Sequence, residues 1–336
     1  MPLVYDVIMT RFLIVLTALL SLTSNVNAEW YKRTEGIMGT PIHVEIWSDN
    51  KAQADTCITQ VMDEMRRIDQ TMSPWIKTSE VYAINEHAAD KPVTISQELF
   101  DLIARSINLS EMSHGAFDIT FASVGYAYDY RKAVKPNDQQ IQQQLDRINY
   151  RHIQLNSDKL TVRFAKQGVR IDLGGIAKGH AVDNSIRLLR SCGIQQALVS
   201  AGGDSRILGD KQGRPWMTGV RDPRNNEKST IVIPLSDTAV STSGDYERYF
   251  IQDGVRYHHI LSPKTGKSVK GTRSVTIIGP DATTTDGLST TVFVLGPERG
   301  LALVERLEGI DAIIIDDRGR IHYSSGLQPP AAAKRP

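Results

Sequence analysis

A change of pattern at residue 153 constrains the fold more than any other feature of the chain. Before it, apolar residues recur at helical spacing: Ile58, Val61, Met62, Met65 and Ile68 form one stripe within residues 49–72, and Leu99, Leu102, Ile103 and Ile107 another within 97–112. Residues 138–148 predict a polar, amphipathic surface helix. After it, short apolar runs alternate with turns, at 153–155, 160–164, 169–173, 197–200, 216–220, 230–233, 239–241, 246–252 and 274–278. Helices at 176–189, 285–295 and 300–307 and a strand at 312–315 are interleaved with them, and residues 42–46 alternate as an early strand. No βαβ series emerges and no linker divides the chain. The expected class is therefore α+β, with one domain over residues 29–326.

Lys+Arg total 39 and Asp+Glu 38, so the formal charge is +1. That leaves no long-range field to attract nucleic acid or an anionic membrane. Arg11 precedes an apolar run over residues 12–22, and Val26-Asn27-Ala28 offers small residues to a signal peptidase. The run is too short to span a bilayer, which needs about 20 apolar residues. Residues 1–28 thus read as a Sec-type leader cut after Ala28, and the mature chain as soluble and either periplasmic or otherwise exported. Asp6 is awkward in a positive leader, which makes Met9 an alternative start. Residues 327–336, rich in Pro and Ala, predict a disordered tail. Cys57 and Cys192 are the only cysteines. Their spacing favours no disulfide, and two buried thiols are expected, although an oxidising compartment would permit a bridge.

Several segments could carry chemistry. Ile171-Asp172-Leu173-Gly174-Gly175-Ile176-Ala177-Lys178-Gly179-His180 runs from a strand through paired glycines into a helix. Such a junction suits an anion, though a plain tight turn fits equally, and the P-loop spacing is absent. Ala201-Gly202-Gly203-Asp204 puts a carboxylate after a glycine turn, and Ser241-Thr242-Ser243-Gly244 offers small hydroxyls. In Tyr257-His258-His259 the two imidazoles point to opposite faces of a strand, so only one can readily serve a given site as a base. On a helix, Asp286 and Thr290 share a face and suit a hard cation such as magnesium, or else simply cap the helix start. Met72-Ser73-Pro74-Trp75 could stack on a flat ring or pack in the core.

In this order, these segments resemble the ApbE family of flavin transferases (FAD:protein FMN transferases). The matching pieces are Met38-Gly39-Thr40, Met72 to Trp75 with Ser79-Glu80 and Asn85, Gly115-Ala116-Phe117-Asp118, and Asp172 through Gly179. They continue with Gly202-Gly203-Asp204, Thr242 through Tyr246, His259 through Gly266, and Asp286 through Thr290. The resemblance implies a T-fold-like α+β domain with an FAD cleft. It implies magnesium-dependent transfer of FMN from FAD to a threonine of a partner protein, with AMP released. The implied acceptor is a subunit of a membrane redox complex, outside the cytoplasm, with a short motif rich in Ser, Gly, Ala and Thr. By position, Met38 and Trp75 would contact the flavin, and Ala116, Phe117 and Asp118 would line the nucleotide site. Asp172 and Lys178 would meet FAD. Gly175 (by its carbonyl), Asp286 and Thr290 would hold magnesium, and His259 would be the base. The chain departs from many relatives at Trp75 (often Tyr), Ser262 (often Asp) and Gly287 (often Ala). An FAD pyrophosphatase and a non-catalytic flavin carrier are the competing readings.

Overall fold

The structure, a computed structural model, describes residues 28–328. The predicted leader and tail lie outside them, apart from Ala28, Leu327 and Gln328. β1 (Glu29–Ile37) and β2 (Thr40–Ser48) form a hairpin. Helices α1 (Lys51–Met72), α2 (Glu80–His87) and α3 (Gln97–Met112) follow, with the short β3 (Val93–Thr94) between the last two. α4 (Ala122–Gly125) and α5 (Asp138–Leu145) lead to β4 (Ile153–Asn156) and β5 (Thr161–Phe164), which form a three-stranded sheet with β3. Next come α6 (Ala177–Ser191), β6 (Ala197–Ala201), β7 (Asp204–Leu208) and a two-stranded ribbon of β8 (Trp216–Asp222) and β9 (Asn225–Leu235). β10 (Ala239–Gly244), a second ribbon of β11 (Tyr249–Gln252) and β12 (Val255–His258), and β13 (Thr272–Gly279) follow. The chain then forms α7 (Ala282–Leu295), α8 (Pro297–Val304), β14 (Asp311–Asp316) and β15 (Ile321–Tyr323).

Eight strands make one antiparallel sheet in the order β1-β2-β6-β7-β10-β13-β14-β15. Helix α1 packs on β1 and β2, α6 on β6 and β7, and α7 on β7, β10 and β13. The α1 stripe read from the sequence faces this sheet and is buried throughout. Asn50 caps that helix, its side chain accepting the Gln53 N–H at 3.1 Å. Ser79 caps α2 in the same way.

Helix α7 begins three residues before the predicted start, because Asp281 caps it by accepting the Thr284 N–H at 2.8 Å. It holds many β-branched residues, which disfavour helix. Burial on nearly every side lets packing override that preference. The α+β class stands, but two strand expectations fail. Residues 169–173 join no sheet, since side chains take the ladder's place. Asn85 accepts the Ile171 N–H at 2.7 Å and donates to its carbonyl at 2.9 Å. The Arg170 N–H goes to Ser123 Oγ at 3.0 Å. Strand β11 starts at Tyr249, shorter than residues 246–252. β1 was not foreseen, because as an edge strand it lacks a clean apolar face.

The two cysteines correct another expectation. Cys57 on α1 and Cys192 at the end of α6 form a disulfide, with Cα atoms 6.3 Å apart. It ties the helices at either end of a 135-residue separation. Closing so long a loop restricts the unfolded chain. Replacing both cysteines with serine is expected to cost about 2–4 kcal/mol in urea unfolding. Dithiothreitol should reproduce that loss in the wild type and leave the double variant unaffected.

Candidate active site

Two turns meet at one end of the sheet. Met38 and Gly39 close the β1–β2 hairpin, with φ of 56° and 69°. Two positive φ values suit a two-residue turn that follows the strand twist. Gly202 and Gly203 close the β6–β7 hairpin beside it, and the Gly202 N–H donates to the Pro41 carbonyl at 3.0 Å. A Cβ on Gly203 would press on the Thr242 carbonyl of β10. Glycine is thus what lets these strand ends converge.

Helices α6 and α7 cross directly beside this point. A Cβ on Gly179 would overlap the Ala282 carbonyl and come within 2.8 Å of Asp286 Cβ. The close approach lets the Gly179 N–H donate to Asp286 Oδ2 at 2.9 Å. Lys178, one residue earlier, pairs with Asp204 at the start of β7 and stands 3.8 Å from Asp286 Oδ1. Burial raises the Asp286 pKa and the Asp204 charge raises it further, while Lys178 opposes both. Burial also works against the Lys178 charge, but Asp204 and Asp286 outweigh it and hold the ammonium protonated.

Neutral oxygens surround Asp286. Thr290 lies one helical turn on, and a Cβ on Gly175 would be 3.2 Å from its Oγ1. Ser243 Oγ lies 3.3 Å from Thr290 Oγ1 and 2.8 Å from Ser289 Oγ. Among the described residues, no group of three or more His, Cys, Asp or Glu side chains is placed to hold a metal. A hard cation does not need one, since a carboxylate, a hydroxyl and a carbonyl suit magnesium when substrate and water complete the shell. Asp286, Thr290 and Gly175 are therefore a fitting donor set.

The two histidines differ sharply. His258 is buried, its Nε2 2.8 Å from the Val269 carbonyl and its Nδ1 accepting the Ile260 N–H at 3.3 Å. Both its nitrogens are occupied. His259 Nδ1 is buried with no partner. Burial, then the Arg248 charge and the neighbouring His258, lowers the His259 pKa to about 3. The ring is neutral at physiological pH with a lone pair to offer.

Trp75 is 70% exposed, leaving ring surface open to a ligand. It packs edge-on against Tyr126, with centroids 4.9 Å apart, and Asn85 Nδ2 donates to the Tyr126 hydroxyl at 3.1 Å. Asp172 sits alongside, its Oδ1 accepting the Gly174 N–H at 2.7 Å. Phe117 reaches the cradle, 3.3 Å from where a Gly175 Cβ would stand. Its two neighbours in the motif are buried beside it. Ala116 is buried, and Asp118 accepts from the Thr120 N–H at 2.9 Å, the Thr120 hydroxyl at 2.5 Å and the Tyr150 N–H at 2.8 Å. The Asp118 carboxylate thereby holds its own loop. Arg248 went unnoticed in the sequence, where no motif marks it, although its charge acts on Asp172, Lys178 and His259.

A cleft of about 740 Å³ lies elsewhere, along Gln97, His180, Arg187 and Arg206. None of the residues above lines it.

A sheet whose converging turns frame an acid–hydroxyl cradle and a free imidazole defines a site for anionic ligand chemistry. Residues 38–314 match the ApbE family, and the chain belongs to that family. A FAD:protein FMN transferase of Treponema pallidum is 32% identical over 316 residues, covering 88% of this chain and 87% of the relative. One from Vibrio cholerae is 30% identical, covering 96% of this chain and 99% of the relative. Among solved structures, the ApbE protein of Thermotoga maritima superposes with a TM-score of 0.82 at 36% identity, covering 89% of this chain and 98% of that one. The flavin transferase ApbE of Vibrio cholerae gives 0.80 at 29% identity, covering 89% and 98%.

Lys178 separates two carboxylates, so Lys178→Met should destabilise the fold by about 3–5 kcal/mol near pH 8. The deficit should shrink as pH falls toward 5. Asp286 of the folded variant holds a proton more tightly than in the unfolded chain, so stability is lost as pH rises through its raised pKa. Urea melts at both pH values check this. A deficit that ignores pH would assign the loss to the lysine stem.

Proposed function

We propose that this chain transfers the FMN portion of FAD to a threonine hydroxyl of a partner protein and releases AMP. The observation that carries most weight is the free, neutral imidazole of His259, on which the charges of Arg248 and Lys178 both act. In the step, the threonine Oγ bonds to the FMN-side phosphorus. The bond from that phosphorus to the bridging oxygen breaks, and AMP leaves with the electron pair. The threonine proton goes to His259. Positioned proton transfer of this kind contributes about 100- to 10,000-fold. A ring with so low a pKa is a weak base in the free protein, but diphosphate charge beside it would favour the imidazolium and raise its basicity.

Asp286, Thr290 and the Gly175 carbonyl would hold a magnesium ion. When bound there, that ion would neutralise diphosphate oxygens and ease the departure of AMP. Gly179 orients the Asp286 carboxylate through its N–H, and Ser243 and Ser289 position the Thr290 hydroxyl. Trp75 and Met38 receive the isoalloxazine ring, and Asp172 and Phe117 border the nucleotide.

The family resemblance points to an exported acceptor, a membrane redox subunit with a Ser/Gly/Ala/Thr motif. The Cys57–Cys192 bridge supports export, because disulfides persist in oxidising compartments. Among the described residues, no helix is long and apolar enough to cross a membrane.

Incubating the protein with FAD, magnesium and a threonine-bearing acceptor domain tests the reading. Flavin fluorescence should stay with the acceptor through a denaturing gel, matched by free AMP. Free FMN and AMP without acceptor would indicate hydrolysis, and uncleaved bound FAD a carrier. Asp286→Asn keeps an acceptor for Gly179 and should abolish transfer without unfolding the protein. His259→Ala should slow transfer at least about 100-fold while FAD affinity changes little. Equal losses in rate and affinity would make His259 a binding group instead.

A further inference from the structure

The site holds two cations, and they are not equivalent. Lys178 is paired with Asp204 and stands 3.8 Å from Asp286. Its charge is neutralised inside the protein before any ligand arrives. Arg248 follows Asp245-Tyr246-Glu247 on the connection from β10 to β11. Its carbonyl accepts the His259 N–H at 3.1 Å, which binds its backbone to the residue carrying the free imidazole. Its side chain reaches across to the β1–β2 turn, with Nη2 3.5 Å from where a Gly39 Cβ would stand. Among the described residues, no carboxylate forms an ion pair with it. The neighbouring carboxylates have other partners: Asp245 pairs with Arg224 at 2.7 Å, and Glu247 lies 3.4 Å from Arg221.

An unpaired guanidinium held over the Met38-Gly39 turn, whose charge also acts on Asp172 and His259, has the chemistry of an anion clamp. Its planar fork can give two parallel hydrogen bonds to phosphate oxygens, which a lysine cannot match. It would also attract charge without drawing on the carboxylates that serve the metal cradle.

We propose that Arg248, and not Lys178, is the cationic residue that binds the diphosphate of the dinucleotide substrate. Lys178 instead holds Asp204 and Asp286 in place. This inference rests on the FAD reading above.

Binding of riboflavin, FMN and FAD to the wild type, Arg248→Ala and Arg248→Lys, measured by isothermal titration calorimetry, tests it. The three ligands share the ring and differ in phosphate. Arg248→Ala should weaken FAD binding by about 10- to 100-fold, the size of a lost charge-assisted contact. It should leave riboflavin affinity unchanged, and Arg248→Lys should fall between it and the wild type. Thermal melts of the same samples establish that the variants are folded. FAD binding equal to the wild type in Arg248→Ala would overturn the proposal while the FAD reading stands. An equal loss for riboflavin would also overturn it, by making Arg248 a structural support. A wild type that binds FAD no better than riboflavin would remove the FAD reading, and this inference with it.

Discussion

The crossing of α6 and α7 at Gly179 is the contact on which the site depends. Without a side chain there, the α6 backbone reaches the first turn of α7 and donates its N–H to Asp286. That brings a buried carboxylate within 3.8 Å of Lys178, which in turn captures Asp204 from β7. Three elements distant in sequence are therefore fastened by one cation between two acids. A buried ion cluster of this kind is poor at adding stability, because desolvation consumes most of the attraction. Its value lies in fixing where the acids stand. The surrounding core, one continuous apolar cluster running from β1 to β14, supplies the stability that such an arrangement requires.

The sheet contributes by bringing its turns together. Met38-Gly39 and Gly202-Gly203 are adjacent because β2 pairs with β6, and Ser243 lies near because β10 pairs with β7. The ribbon of β11 and β12 leaves this sheet, and His259 follows its last residue. An aromatic contact holds the ribbon down: Phe250 of β11 packs against Tyr130, with centroids 6.2 Å apart. His259 thus sits at the foot of an anchored arm, with its backbone N–H fixed to the Arg248 carbonyl.

Much of this was legible in the sequence, and the parts that were not share a cause. The helices at 51–72 and 97–112 were readable because each buries one face, which leaves a period in the sequence. The shared face of Asp286 and Thr290 was readable because a helix sets their spacing. Residues 169–173 misled because apolar and charged residues alternate there as in a strand, yet the backbone of Arg170 and Ile171 is bonded by the side chains of Ser123 and Asn85. No local pattern reports a partner 86 residues away. The disulfide escaped for the same reason, as did the pairing of Lys178 with Asp204. Asp118 sits in a family motif, but only its three hydrogen bonds reveal that it holds a loop.

The histidine pair carries the reasoning one step further. Two adjacent imidazoles are indistinguishable by composition, and strand alternation says only that they face apart. Their surroundings separate them. His258 has both nitrogens occupied and lies edge-on to Phe293 with centroids 5.6 Å apart, so moving its proton would break the packing around it. His259 has a nitrogen with nothing to bond, and a buried unpaired acceptor is costly unless something fills it. A substrate hydroxyl could fill it. Nearby positive charge and burial both keep the ring neutral, and an incoming diphosphate would relieve the first of these. Basicity at this position would then rise only when the anion is in place, which couples readiness for proton transfer to the presence of the group to be attacked.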